Sequence, residues 1–129
     1  MVSIGDSFLL PKPGQQVEHL WIVITVPHPR THDVIMVNLT TIRSHSDMTT
    51  ILNPGDHPFV NRPSAIYYAD ARIADSRLLD KALNSGTATA HQVFNAALIA
   101  KIQSGINQSQ FTPQKIITAF AGAVADGRV

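Results

Sequence analysis

The sequence contains no cysteine among its 129 residues. Disulfide bonds, thiolate zinc sites and cysteine nucleophiles are therefore excluded. Charged residues make up only 15% of the chain and the formal net charge is +1, so the large basic excess typical of dedicated DNA-binding proteins is missing. Because 44% of the residues are apolar, a charged, disordered tail is not expected either.

Long hydrophobic runs are also missing. The run at positions 96–100 (Ala-Ala-Leu-Ile-Ala) is far shorter than the roughly 20 residues of a membrane span. The first residues lack the basic segment and apolar core of a secretory signal. There is no phosphate-binding glycine loop, dinucleotide fingerprint or paired-histidine zinc motif. We therefore expect a single domain over residues 1–129 that is cytoplasmic, independent of membranes, and without a cofactor or a metal.

The residues that are present predict strands first and helices last. Short β-branched or apolar runs predict five strands, at 7–11, 19–26, 34–42, 49–52 and 64–69. Asp75 is the expected N-cap of a first helix that Gly86 stops, and Thr89 and Gln92 have the form of a capping box opening a second. After a break at 105–110, Thr112-Pro113 predicts a third helix. The predicted fold class is α+β, with a small antiparallel β-barrel at about 4–73 followed by helices at about 75–126.

One short stretch, residues 53–70, concentrates groups able to transfer protons or carry charge. Together with neighbouring strand ends it supplies the candidate site residues, which are Asn38, Thr40, Thr41, His57, Arg62, Tyr68, Asp70 and Arg72. Such a set suits phosphodiester cleavage, which needs a base, an acid and a cation or hydroxyl donors for the charged phosphorane. The alternative is structural: the threonines reflect β-propensity, Asp70 and Arg72 form a salt bridge, and the polar loop residues satisfy turns.

The order of several short motifs resembles the PemK/MazF-like toxin family. An early Gly5-Asp6 leads into a strand ending at Pro11, and a second strand follows at 20–25. The strand at 34–41 ends in Leu-Thr-Thr, and the segment at 64–73 has the Ser-x-apolar…Asp-x-x-Arg character of that family. Gly86 and the following helix match the closing elements. The resemblance covers about residues 4–105, and the helix from Thr112 is additional.

This resemblance implies an SH3-like barrel that acts as a metal-independent endoribonuclease on single-stranded RNA, usually as a homodimer neutralised by a small antitoxin. By motif position, Thr40 and Thr41 match the hydroxyl residues near the scissile phosphate. Asp70 matches the acidic residue, and Arg72 matches a second arginine. Tyr68 stands where the family carries its catalytic arginine.

Two hypotheses for function follow. In the first, Asp70 and His57 act as base and acid, Arg72 or Arg62 stabilises the phosphorane, and the two threonines position the phosphate. The expected substrate-binding residues of this enzyme are Asn38, Arg62 and Tyr68. In the second hypothesis, the protein is a catalytically inactive SH3-like module that binds protein or nucleic acid through the same groove.

Overall fold

The computed structural model describes all residues from Met1 to Val129. The chain forms seven strands, one 3-10 turn and three α-helices, and six of the seven strands precede the first α-helix. The elements are β1 (Ser7–Pro11), β2 (Glu18–Val23), β3 (Asp33–Thr41), β4 (Ile51–Leu52), β5 (Ser64–Ile66), the 3-10 turn (Tyr68–Asp70), β6 (Arg72–Asp75), α1 (Ser76–Ser85), β7 (Thr89–His91), α2 (Ala96–Gln108) and α3 (Gln114–Ala125).

All strands join one antiparallel sheet in the order β4-β5-β3-β2-β1-β7, and β6 pairs with β3 as well. The α+β class expected from the sequence is confirmed. The end strands β4 and β7 do not pair with each other, so the sheet is open and the closed SH3-like barrel is not observed. None of the helices combines the length and apolar character needed to cross a membrane.

Helices cover both faces of the sheet. Successive side chains of a strand point to opposite faces, so a central strand buried on both sides is apolar throughout. On the first face, α2 and α3 pack against alternate residues of β2 and β3, including Leu20, Ile22, Ile35 and Val37. On the second face, α1 packs against the intervening residues, including Trp21, Val23, Val34 and Met36.

β5 and β6 pair with the same side of β3, and a bulge of three extra residues separates them. Leu39 pairs with Ile66 and Met36 pairs with Arg72. Two residues of β3 therefore face five residues of the partner, and the surplus forms the 3-10 turn Tyr68–Asp70. The bulge lets the chain direct Tyr68 into the core of the first face and Asp70 toward the polar end of the second face.

The helix boundaries differ from the sequence prediction in the region around α2. Asp75 caps α1 and Gly86 ends it with φ 81°, as predicted. Thr89, however, lies in β7, and α2 begins after Asn95, whose side chain accepts a hydrogen bond from the Leu98 amide. The capping-box prediction is wrong because residues 89–91 pair with the edge of β1, which their local sequence does not reveal. The predicted break at 105–110 begins too early, since α2 continues through Gly105 to Gln108 and the break before α3 covers 109–113.

Candidate functional site

The candidate site is a cluster of charged and polar side chains around Asp70, at the end of the second sheet face that α1 leaves uncovered. The Asp70 carboxylate accepts hydrogen bonds from Lys12 Nζ at 2.7 Å and from Asn38 Nδ2 at 2.8 Å. Arg72 Nη2 lies 3.5 Å from the other carboxylate oxygen. Lys12 follows β1, Asn38 is central in β3, and Asp70 and Arg72 flank the end of the bulge. Three separate segments therefore converge on one carboxylate.

Aromatic rings hold both cations of this cluster in place. The Arg72 guanidinium lies over the Trp21 ring at 5.3 Å from its centroid, and the Trp21 indole N–H donates to the Leu10 carbonyl. Lys12 Nζ lies 5.0 Å from the centroid of the Tyr67 ring, which is 40% exposed. Cation–π contacts and the shared carboxylate fix two positive charges at the surface.

Asp70 is ionised in this cluster. Burial by itself raises the pKa of its carboxyl group, but the hydrogen bonds from Lys12 and Asn38 and the charges of Lys12 and Arg72 lower that pKa below its usual value overall. A carboxylate with a lowered pKa is a poor proton donor near neutral pH. Asp70 therefore serves this site as a fixed negative charge that orients its neighbours.

His19 is the group of the site that is ready to accept a proton at neutral pH. Partial burial and the nearby Lys12 charge lower the pKa of His19, and the Asp70 carboxylate opposes them only in part. The imidazole is therefore neutral at pH 7. His19 lies in β2, directly opposite Leu10 of β1, so it sits beside the end of β1 from which Lys12 emerges.

Asn38 carries the unsatisfied polar atom of this cluster. Its side chain is fully buried, and its Nδ2 donates to Asp70, which fixes the orientation of the amide. The Asn38 Oδ1 atom has no hydrogen-bond partner. A buried acceptor without a partner costs free energy, so this asparagine carries a local cost in stability.

Tyr68 belongs to the core rather than to this cluster. It is completely buried, and its hydroxyl contacts Thr50 Oγ1 at 2.7 Å and donates to the Ile102 carbonyl of α2 at 2.6 Å. Burial raises the pKa of Tyr68 to about 12, and the Thr50 hydrogen bond opposes that rise. The side chain at position 68 therefore does not face Asp70, and Lys12 supplies the adjacent cation instead.

His57 lies apart from Asp70 and shares none of its partners. It is 4% exposed, its ring stacks on Phe94 at 4.0 Å, and Nε2 lies 2.8 Å from the Gln92 carbonyl. Nδ1 accepts a hydrogen bond from the Phe59 amide, so the proton of the neutral ring is on Nε2. Burial lowers the pKa of His57, and the Gln92 hydrogen bond only partly offsets this. Backbone groups thus occupy both ring nitrogens.

The remaining candidates line a groove next to the Asp70 cluster. Its volume is about 350 Å³, and its wall includes hydroxyl, amide and guanidinium groups contributed by β2, β3 and the loop before β5. His19 lies in this wall and so connects the groove with the cluster. The other polar, charged or aromatic lining residues are Glu18, Thr40, Thr41, Arg43, Phe59, Asn61, Arg62 and Ser64.

Sequence reasoning missed Lys12, His19 and Phe59 as site residues. Lys12 lies between two prolines, a pattern typical of a turn, and only the fold brings it to Asp70. His19 carries a signal in the sequence, because it is the polar residue that opens an otherwise apolar strand. The sequence groups Asn38, Asp70 and Arg72 as candidates, and the structure does bring these three together.

No family model, curated protein or solved structure matches this chain. Within the structure, no group of three or more histidine, aspartate or glutamate side chains is placed to hold a metal ion. Another cleft, of about 290 Å³, lies at the opposite end of β3. Its arginine, Arg128, is already bound to Asp126 and to the Val26 carbonyl. The Asp70 cluster and its adjoining groove are therefore the candidate site.

Proposed function

We propose that the protein is a metal-independent endoribonuclease that cleaves single-stranded RNA at the Asp70 cluster. The observation that carries the proposal is the convergence of a neutral imidazole, His19, with two fixed cations, Lys12 and Arg72, around one ionised carboxylate. These are the groups that transfer a 2′-hydroxyl proton and stabilise a phosphorane.

The proposed reaction is an internal transfer at phosphorus. His19 takes the proton of a 2′-hydroxyl, and the 2′-oxygen forms a bond to the adjacent phosphorus. The bond from phosphorus to the 5′-oxygen of the next nucleotide breaks, and that oxygen takes a proton from the Lys12 ammonium. The products are a 2′,3′-cyclic phosphate and a 5′-hydroxyl. Solvent then takes the proton from His19 and returns a proton to Lys12. Arg72 stabilises the charge of the phosphorane, while Thr40 and Thr41 orient the phosphate.

This assignment changes the roles first expected for Asp70 and His57 and gives a role to Lys12. Asp70 orients Lys12 and Asn38 rather than transferring a proton, because its pKa is lowered. His57 is not used, since backbone groups engage both ring nitrogens. Lys12 supplies the cation that the resemblance to PemK/MazF-like toxins predicts at position 68.

The proposal extends to an SH3-like arrangement, a homodimer and neutralisation by a small antitoxin.

A second candidate function is an inactive module that binds protein or nucleic acid through the same surface. It is favoured by the saturation of the Asp70 carboxylate, which Lys12, Asn38 and Arg72 all contact. A site of this kind binds a partner through its cations and exposed aromatic rings without transferring protons.

Cleavage of a labelled single-stranded RNA in the presence of EDTA separates the two functions. We expect the wild type to yield 2′,3′-cyclic phosphate ends, and His19→Gln and Lys12→Gln to lower the rate about 10²–10⁴-fold, as is typical for loss of a general base or acid. Lys81→Gln, at an exposed position on α1, is the control and should cleave at the wild-type rate. Absence of cleavage by the wild type, or full activity of both variants, would rule out the proposed mechanism.

Expression in a bacterial host tests the toxin part of the proposal. Induction of the wild type should arrest growth, whereas His19→Gln at the same protein level should not. Size-exclusion chromatography with light scattering should give a mass of about 28 kDa, twice the chain mass of 14.0 kDa. Normal growth at full expression would contradict a toxin, and a mass of one chain would contradict the dimer.

A further inference from the structure

The groove beside the cluster has a charge that fits the sugar–phosphate backbone of a nucleic acid. Two arginines, Arg43 and Arg62, line it, and the carboxylate in its wall is Glu18. Neither guanidinium forms a salt bridge or donates a side-chain hydrogen bond within the protein, and both residues are exposed. Two unpaired guanidinium groups on one groove are available to phosphate oxygens.

The same groove offers an aromatic surface. Phe59 lines it and is 36% exposed. The Phe59 ring already contacts the His91 ring edge-on, with 5.2 Å between the two ring centroids. Exposed aromatic rings beside positive charge are the stacking surfaces on which proteins bind unpaired bases.

His57 holds this aromatic surface in place. Its Nδ1 accepts the Phe59 amide hydrogen, its Nε2 binds the Gln92 carbonyl, and its ring stacks on Phe94 in the core. The loop that carries Phe59, Asn61 and Arg62 is thereby attached to the segment before α2. A preorganised loop loses little conformational entropy when a ligand binds, so the histidine serves the groove as a positioning residue.

The groove has the size of a small-ligand site and offers groups suited to one nucleotide. Its volume of about 350 Å³ lies within the range of such sites. Thr40, Thr41 and Asn61 add hydrogen-bonding groups to its wall. His19 also lines the groove. An RNA chain with one nucleotide in the groove would therefore continue into the Asp70 cluster.

We propose that this groove binds one unpaired nucleotide of a single-stranded RNA, with its base stacked on Phe59 and its flanking phosphates held by Arg43 and Arg62. This inference rests on the proposed function, because the occupant is the RNA strand whose neighbouring phosphate is cleaved. In this arrangement, the loop at 57–62 selects unpaired RNA strands over paired ones.

The test measures binding separately from chemistry. The probe is a fluorescein-labelled ten-nucleotide RNA with 2′-O-methyl ribose throughout, which cannot form the cyclic phosphate. Fluorescence anisotropy should give tighter binding to the single strand than to its duplex. Phe59→Leu keeps an apolar side chain without a stacking ring, and it should weaken binding at least about fivefold. Arg43→Gln and Arg62→Gln should each reduce the slope of log affinity against log salt by about 0.7.

Two controls make the result decisive. Lys81→Gln removes an exposed positive charge on α1 and should leave affinity and salt slope unchanged. His19→Gln should lower the cleavage rate of ordinary RNA about 10²–10⁴-fold while retaining most of the binding to the methylated probe. Wild-type affinity of Phe59→Leu, equal binding of the duplex, or no binding of the probe would overturn the inference, the last pointing to a protein occupant. Absence of cleavage by the wild type, together with Phe59-dependent binding of the probe, would overturn only the catalytic proposal.

Discussion

Among single residues, His19 has a protonation state that reflects two opposing neighbours. Burial and the Lys12 ammonium lower its pKa, whereas the Asp70 carboxylate raises it. The same two neighbours neutralise each other at 2.7 Å, so the field at His19 is that of an ion pair rather than of a single charge. Removing one partner should therefore move the pKa of His19 in a direction that depends on which partner is removed.

We expect the His19 ring to titrate below its usual pKa of 6.5 in the wild type. Lys12→Gln removes a positive charge and should raise that pKa, while Asp70→Asn removes a negative charge and should lower it further. NMR titration of the histidine C–H protons measures both shifts, with His19→Gln identifying the resonance. Since the proposed base must be neutral, cleavage should fall as the pH drops through this pKa. Shifts of the same sign in the two variants would contradict the arrangement.

Among the secondary-structure elements, α2 approaches the bulge closely because it carries a glycine at the contact. A Cβ atom built at Gly105 would overlap the Tyr68 hydroxyl and Thr50 Oγ1. The hydroxyl lies there because it donates to the Ile102 carbonyl on the preceding turn of α2. The helix, the bulge and the segment before β4 are thus joined at one buried point, and the absence of a side chain at position 105 permits it.

Gly105→Ala should destabilise the protein by about 1–3 kcal/mol, the usual cost of overpacking a core. Gly122 provides the matched control, because it lies in the interior of α3 and a Cβ there meets nothing within 4 Å. Gly122→Ala should stabilise by up to about 1 kcal/mol through helix propensity. Urea denaturation measures both free energies of unfolding. Equal effects of the two substitutions would mean that the Tyr68 hydroxyl does not fill the space beside α2.

Elements that depend on local chemistry are predictable from the sequence, and those that depend on distant pairing are not. Asp75 and Gly86 bound α1 because a cap and a left-handed glycine act within a few residues. Thr89 has the same kind of local signature, yet it joins β7, because pairing with β1 outweighs a helix cap. Likewise, the neighbours of Asp70 in the sequence suggest its place in a site, but Lys12 is remote in the sequence and is brought to it by the sheet.

In the molecule as a whole, α3 is part of the core and not an appendage. The resemblance to PemK/MazF-like toxins ends near residue 105 and leaves α3 as an addition. In the structure, Ile116 is fully buried and Phe120 is 7% exposed, and both belong to the cluster that includes β2, β3 and α2. The first sheet face would lose part of its cover without this helix.

Ile116→Ala should destabilise the protein by about 2–5 kcal/mol, the range for truncating a fully buried aliphatic side chain. Val124→Ala is the control on the same helix, because that valine is 51% exposed and should cost less than about 0.5 kcal/mol. Thermal or urea unfolding followed by circular dichroism distinguishes the two. Similar small losses for both variants would show that α3 is dispensable for the fold.

The bulge at residues 68–70 couples the candidate site to the interior of the protein. Tyr68 is fixed in the interior by hydrogen bonds to two other segments, and Asp70, two positions along, anchors the charged cluster. Such a short connection gives the cluster no hinge of its own. We therefore expect amide hydrogen exchange at residues 69–72 to require opening of the same cooperative unit as the interior. The site would then keep its geometry up to the melting transition and lose it together with the fold.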